Sequence, residues 1–197
     1  MTKLTVADIA DARAYERERE SFRAHIIELK KRRRIAVGPI ITLLFENRDT
    51  VRFQIQEMAR AERILTDAGI QTELDIYNPL VPGPGELAAT MFIELTSEAQ
   101  LREWLPKLAG VERAVELRLP GASVVPAELD PGHAEQLTRE DTTASVHYLH
   151  WSLNPSQVEG FAAGPVEVAV HHPNYTESTE LSEAARLELL GDLRGHS

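Results

Sequence analysis

Leu43-Leu-Phe-Glu-Asn-Arg-Asp-Thr-Val-Arg-Phe-Gln-Ile-Gln-Glu-Met-Ala-Arg-Ala-Glu-Arg-Ile-Leu65 is the stretch whose reading decides the fold. An apolar, strand-like run ends at Phe45, a polar corner follows, and a helix is expected to open at Asp49, the expected cap. At about 100° per residue, Thr50, Phe53, Gln54, Glu57, Met58, Ala61, Ile64 and Leu65 share one helical face. That face is expected to pack on the core, with Gln54 and Glu57 in its middle and Arg52, Gln56 and Arg63 in solvent. An inward carboxylate is costly unless paired, protonated or metal-bound, which singles out Glu57. The helix is expected to reach Ala68 and stop at Gly69.

Upstream, the strand extends back to Ile35, interrupted by Gly38-Pro39, which suggests an edge or a bulge. Before it lies a helical segment, capped by Thr5 with Asp8 at the capping-box position and a Leu4–Ile9 staple. Its apolar members Tyr15, Phe22, Ile26 and Leu29 make a narrow seam, and His25 reads as a surface residue. Downstream, a short strand is expected at 73–76, then the breaker-rich loop 77–85. Strands at 87–95 and 112–119 flank a helix from Ser97 to Leu108. Residues 120–143 read as a long loop with a short strand at 123–125 and a turn near 134–137; His133 there is expected to face solvent. Strands at 145–153 and 165–171 flank a helix started by Asn154-Pro155, and an amphipathic helix spans 181–193. The pattern predicts one α+β domain with a mixed or mostly antiparallel sheet: a helical segment at 1–34, then the body at 35–197.

With 197 residues, 43% hydrophobic and 26% charged, the composition is that of a soluble globular domain. No apolar run approaches the about 18 residues of a membrane span, no secretory signal is visible, and a cytoplasmic location is expected. Cysteine is absent, which excludes disulfides, thiol nucleophiles and cysteine-held metals or clusters. Of the net charge of −10, residues 1–63 carry +4 and the rest −14. The basic run Lys30-Lys-Arg-Arg-Arg34 reads as a helix C-terminus rather than a nucleic-acid contact, since it lacks aromatic interleaving.

Strand parity sorts the histidines. His147 shares a face with Leu149, Trp151 and Leu153, and His172 continues the Val166, Val168, Val170 face; His150 and His171 point outward. Glu57, His147 and His172 are therefore the candidate metal ligands, for iron or zinc, if their strands bring them together. Alternatively Glu57 and His172 would act as catalytic acid–base groups. The corner Glu46-Asn-Arg-Asp49 joins a strand end to a helix start, a common ligand position. Glu46, Arg48, Gln54 and Tyr175, the last in His172-Pro-Asn-Tyr175, are the ligand-binding candidates; Arg48 would hold an anion or pair with Glu46. Phosphate-cradling glycine loops, nucleophile elbows and His-Glu-x-x-His are absent.

Arg33-Arg-Ile-Ala-Val-Gly-Pro39, Leu44-Phe-Glu-Asn-Arg-Asp-Thr50 and Gln54-Ile-Gln-Glu-Met58, with the later Ser145-Val-His147 and His172-Pro-Asn-Tyr175, resemble an uncharacterised bacterial family, domain of unknown function 3501. The resemblance covers nearly the whole chain. It implies no established activity. It does imply a genomic setting near rubrerythrin-like and iron–sulfur proteins, and hence redox or oxidative-stress work with such partners. The family pattern often has Asp at 171 and Arg at 150, which removes those histidines from any shared chemistry. The expectation is an accessory protein with a Glu/His polar site binding a metal or small ligand. A metal-independent acid–base enzyme acting on an anionic molecule, and a self-associating interaction subunit, are the alternatives.

Overall fold

The structure, a computed structural model, describes residues 2–129, 138–139 and 142–195. The expected turn near 134–137 and His133 lie outside the described residues. Every strand ladder among them is antiparallel. The fold is α+β, as the sequence pattern predicts.

The strands are β1 (Arg34–Val37), β2 (Ile41–Glu46), β3 (Glu86–Ile93), β4 (Val115–Leu119), β5 (Ser123–Pro126), β6 (Glu128–Leu129), β7 (Thr138–Arg139), β8 (Thr142–Thr143), β9 (Val146–Ser152), β10 (Glu167–His172) and β11 (Tyr175–Glu180). The helices are α1 (Ala12–Arg33), α2 (Arg48–Glu62), α3 (Asp67–Tyr77), α4 (Glu98–Lys107), α5 (Pro155–Ala163) and α6 (Glu183–Leu193). One sheet runs β1-β2-β3-β9-β6 and a second β11-β10-β4-β5, while β7 and β8 pair as a separate two-stranded sheet.

The two sheets pack face to face around one apolar core. Leu43, Phe45, Met91, Leu149 and Trp151 come from the first sheet, and Leu117, Val168 and Val170 from the second. On one side the chain passes from β5 through Ala127 into β6 and so changes sheets. On the other side β1 meets β11: the Thr179 hydroxyl donates to Ala36 O at 2.8 Å, and the Tyr175 hydroxyl to Val37 O at 2.6 Å. Gly38, at φ 71°, turns the chain there, and a Cβ on it would collide with the Tyr175 hydroxyl. Both requirements select glycine.

The two strand–helix–strand units do not make crossovers within one sheet. β3–α4–β4 and β9–α5–β10 each begin in the first sheet and end in the second. The question of parallel or antiparallel pairing between β9 and β10 therefore disappears, because they are not neighbours.

Helices α1, α2 and α3 cover the outer face of the first sheet, so β2 is buried at every residue. Several local expectations are corrected here. Asn47, not Asp49, caps α2, accepting from Thr50 N at 3.0 Å. The helix ends at Glu62 with Arg63 in a left-handed conformation, and residues 73–76 lie in α3 rather than in a strand. Gly69 lies inside α3 instead of stopping α2, and a Cβ there would come within 2.5 Å of Ile64 Cγ2.

The face of α2 is also rotated from the expected one. Thr50, Val51, Ile55, Gln56 and Ala59 are buried, and Gln54 is exposed. The helix is covered on two sides, with Phe53 turned to Phe22 of α1 at a ring separation of 5.7 Å. Two partners spread the apolar signal around the helix, so a single-face reading misplaces it. The N-terminal expectation holds better: Asp8 accepts from Thr5 N and Oγ1 at 2.8 and 2.9 Å, and Tyr15, Ile26 and Leu29 are the buried seam of α1. No helix among the described residues is long and apolar enough to cross a membrane.

Lys31 to Arg34 of the basic run are taken up in ion pairs. Arg32 meets Glu188 at 2.9 Å, Lys31 meets Glu28 at 2.6 Å, and Arg34 meets Glu94. Arg33 is fully buried against the equally buried Asp192, with bonds of 2.6–2.8 Å. Breaking a buried pair leaves an uncompensated charge, whereas replacing both members with apolar groups is often neutral. Arg33→Met alone should cost roughly 3–5 kcal/mol in urea unfolding, and adding Asp192→Leu should recover most of that loss.

Candidate functional site

Glu57, His147 and His172 are each tied to different partners. Glu57 lies on α2 facing α1. Its Oε1 accepts from the Tyr15 hydroxyl at 2.6 Å and Arg19 Nε at 2.8 Å, and its Oε2 from the Arg19 guanidinium at 2.9 Å. The Arg19 bonds hold its pKa down to about 2, against the opposing effect of burial. A carboxylate held so firmly in its ionised form has little basicity to offer as a general base.

His147 lies inside the sandwich and is buried, as its parity predicts. Its Nε2 is 2.9 Å from Ala144 O and 2.7 Å from Thr143 Oγ1. A carbonyl only accepts, so the proton is assigned to Nε2. Burial lowers the imidazole pKa, and the negative charge of Glu112 partly offsets this.

His172 is half-buried at the end of β10. Nε2 donates to Ala109 O at 3.1 Å and Nδ1 accepts from Asn174 N at 3.3 Å. Asn174 donates to Lys107 O at 2.8 Å, and Tyr175 bridges to Val37 O. The His172-Pro-Asn-Tyr175 segment is thus a clamp that fastens the β10–β11 turn to the end of α4 and to the β1–β2 hairpin. Among the described residues no group of three His, Asp or Glu side chains is placed to hold a metal.

Arg48 does not pair with Glu46. It reaches back to Asp8 at 2.5 Å and to Thr2 O at 3.3 Å, fastening the N-terminal segment to α2.

Glu46 and Gln54 do come together, at a cavity of about 200 Å3 on the helix-covered face of the first sheet. Three neighbouring strands contribute outward-pointing residues: Glu46 from β2, Thr90 from β3 and Tyr148 from β9. Gln54 of α2, Lys30 of α1 and Tyr77 of α3 complete the polar wall. Glu46 is 8% exposed, and its Oε1 accepts from the Thr90 hydroxyl at 2.7 Å. No donor among the described residues reaches its Oε2. Burial raises the Tyr148 pKa, with Tyr77 and the Glu46 charge adding to it, so the phenol stays protonated. The Lys30 ammonium stands 5.7 Å over the Phe53 ring.

A buried carboxylate ringed by hydroxyls and aromatic rings suits a ligand that brings positive charge or several hydrogen-bond donors. Glu46 and Gln54 are legible candidates from the strand-to-helix corner alone. Thr90, Tyr148, Tyr77 and Lys30 are not, since they meet only through strand register and helix packing. Outward parity on β3 and β9 was the available signal for Thr90 and Tyr148.

The fold and site define a single-domain α+β protein with two packed sheets and a small cavity, holding a buried carboxylate, beneath its helices. The chain belongs to the family described as protein of unknown function (DUF3501), whose model matches residues 3–193. It is also similar to a solved structure from Burkholderia pseudomallei K96243, described as a novel protein of unknown function. The two are 36% identical with a TM-score of 0.89, over 98% of this chain and 100% of that one. No curated protein matches the chain.

The Glu57 geometry sets a pH dependence. Its carboxyl has a folded value near 2, below the ordinary 4.5, so its contribution to stability is complete above about pH 5 and is lost as pH falls toward 2. Glu57→Gln should lower stability at neutral pH and flatten the acid limb of a stability–pH curve measured by denaturant unfolding. An acid limb as steep as the wild type would refute this role.

Proposed function

We propose that this protein binds a small amine-bearing molecule in the Glu46 cavity and acts as a ligand-binding accessory protein. The observation that carries this reading is the Glu46 carboxylate. It is buried, one oxygen is held by Thr90, and the other is left for a ligand. Removing a carboxylate from water is costly, and a ligand ammonium would offset that cost. The ammonium would sit on Glu46 Oε2 among the rings of Tyr77, Tyr148 and Phe92. Gln54, in the same wall, would bond a neighbouring polar atom. Lys30 in the same wall favours an acidic group at the ligand's other end, so a zwitterion of amino-acid size fits best.

A ligand-binding role agrees with the absence of cysteine, which leaves the chain no thiol for electron transfer of its own. A redox setting, with rubrerythrin-like or iron–sulfur partners, would then be reached through the ligand or through docking.

Titration calorimetry with small amines and amino acids tests the reading. At least one should bind, and Glu46→Gln, which can still accept from Thr90, should weaken it by about tenfold or more, the worth of one charge-assisted bond. Binding undiminished in Glu46→Gln, or no binding across the series, would overturn the proposal.

A further inference from the structure

A second, larger cavity of about 400 Å3 opens at the other end of α2. It lies between the N-terminal segment, the first turn of α1, the C-terminal half of α2 and the start of α3. Its volume falls within the range of small-molecule sites, about 300–1,000 Å3. Val6, Ile9, Ala59, Ile64 and Ile70 supply apolar wall.

Most polar groups of the wall are already engaged inside the protein. The Gln56 amide bonds both N and O of Ala10 at 2.8 and 3.2 Å, and the Tyr15 hydroxyl is taken by Glu57. Asp11 caps α1, and Arg60 meets Glu16 at 2.5 Å. Asp67 lies in the first turn of α3, where its charge complements the helix dipole. The interior therefore asks for an apolar body and for no particular polar group.

The rim differs. Leu65 is 77% exposed there, and among the described residues no hydrogen bond or ion pair engages the Arg63 guanidinium. Arg63 is also one of the non-glycine residues with positive φ, at φ 56° and ψ 44°. Glycine adopts that conformation without steric penalty and an arginine does not, so backbone geometry gives no reason for this side chain. An unpaired cation above an apolar cavity is a recognition element for an amphipathic anion.

We infer that this cavity is a second ligand site, for a molecule with an apolar body and a single carboxylate that pairs with Arg63. It is independent of Glu46, so either site can fail without the other.

The test uses the full chain with decanoate and, as its uncharged match, 1-decanol, followed by calorimetry and by methyl NMR of the isoleucines. Decanoate should bind and shift Ile9, Ile64 and Ile70, with decanol weaker by about tenfold. Arg63→Gly keeps the left-handed turn, should fold at least as well, and should erase the preference for the acid. Ala59→Phe should weaken both ligands by filling the cavity, and Glu46→Gln should leave decanoate binding unchanged. The inference is overturned by decanol binding as tightly as decanoate. It is equally overturned by a preference that survives Arg63→Gly, or by shifts confined to isoleucines away from the cavity.

Discussion

The buried Arg33–Asp192 pair is the constraint on which the rest of the molecule depends. Its forked geometry joins the last residue of α1 to α6 near the C-terminal end of the described chain. The same guanidinium lies 3.4 Å from the carbonyls of Phe45 and Glu46, at the end of the most deeply buried strand. A single charged group thus fixes where a long helix, the end of β2 and the last helix meet. In a dry interior that arrangement tolerates little displacement, because a half-broken buried pair is far worse than none. Its contribution is positional more than energetic, and the residue it positions is Glu46.

From that point the site follows by geometry. The first sheet is covered on both faces, by the second sheet on one side and by α1, α2 and α3 on the other. Outward residues of β2, β3 and β9 are therefore mostly buried or half-buried instead of solvated, and a carboxylate at such a position becomes a binding group. The N-terminal segment is fastened over α2 and α3 by Arg48 to Asp8, by Gln56 to Ala10 and by reciprocal bonds between Leu4 and Asn78. The Gln56–Ala10 bonds among them lie in the wall of the larger cavity. Burial on two sides also explains why Glu57 lies against α1, saturated by Arg19 and Tyr15, instead of at a reactive centre.

Much of the local structure was legible. The Thr5–Asp8 box, the seam of Tyr15, Ile26 and Leu29, the Ser97 and Asn154 caps, and the inward parity of His147, Leu149 and Trp151 all rest on contacts within a few residues. The α2 face was misread because Phe53 packs on α1 while Val51 and Ile55 pack elsewhere, so no single stripe exists. The strand β11, Tyr175–Glu180, carries no alternating apolar signal, and only its pairing with β10 defines it. The His172-Pro-Asn-Tyr175 segment was recognisable as special. Its work as a clamp was not, since its partners Ala109, Lys107 and Val37 lie far along the chain.

By itself the sequence determined the class of fold, most helix starts, the strand parities and the family, because each is written in short-range periodicity, capping chemistry or a continuous signature. Only the tertiary structure decided that the two strand–helix–strand units straddle two sheets, that Arg33 is a buried partner of Asp192, and that Glu46 rather than Glu57 faces a cavity. Those facts depend on which surfaces cover which. A buried charge takes its meaning from a partner more than a hundred residues away, which no local pattern encodes.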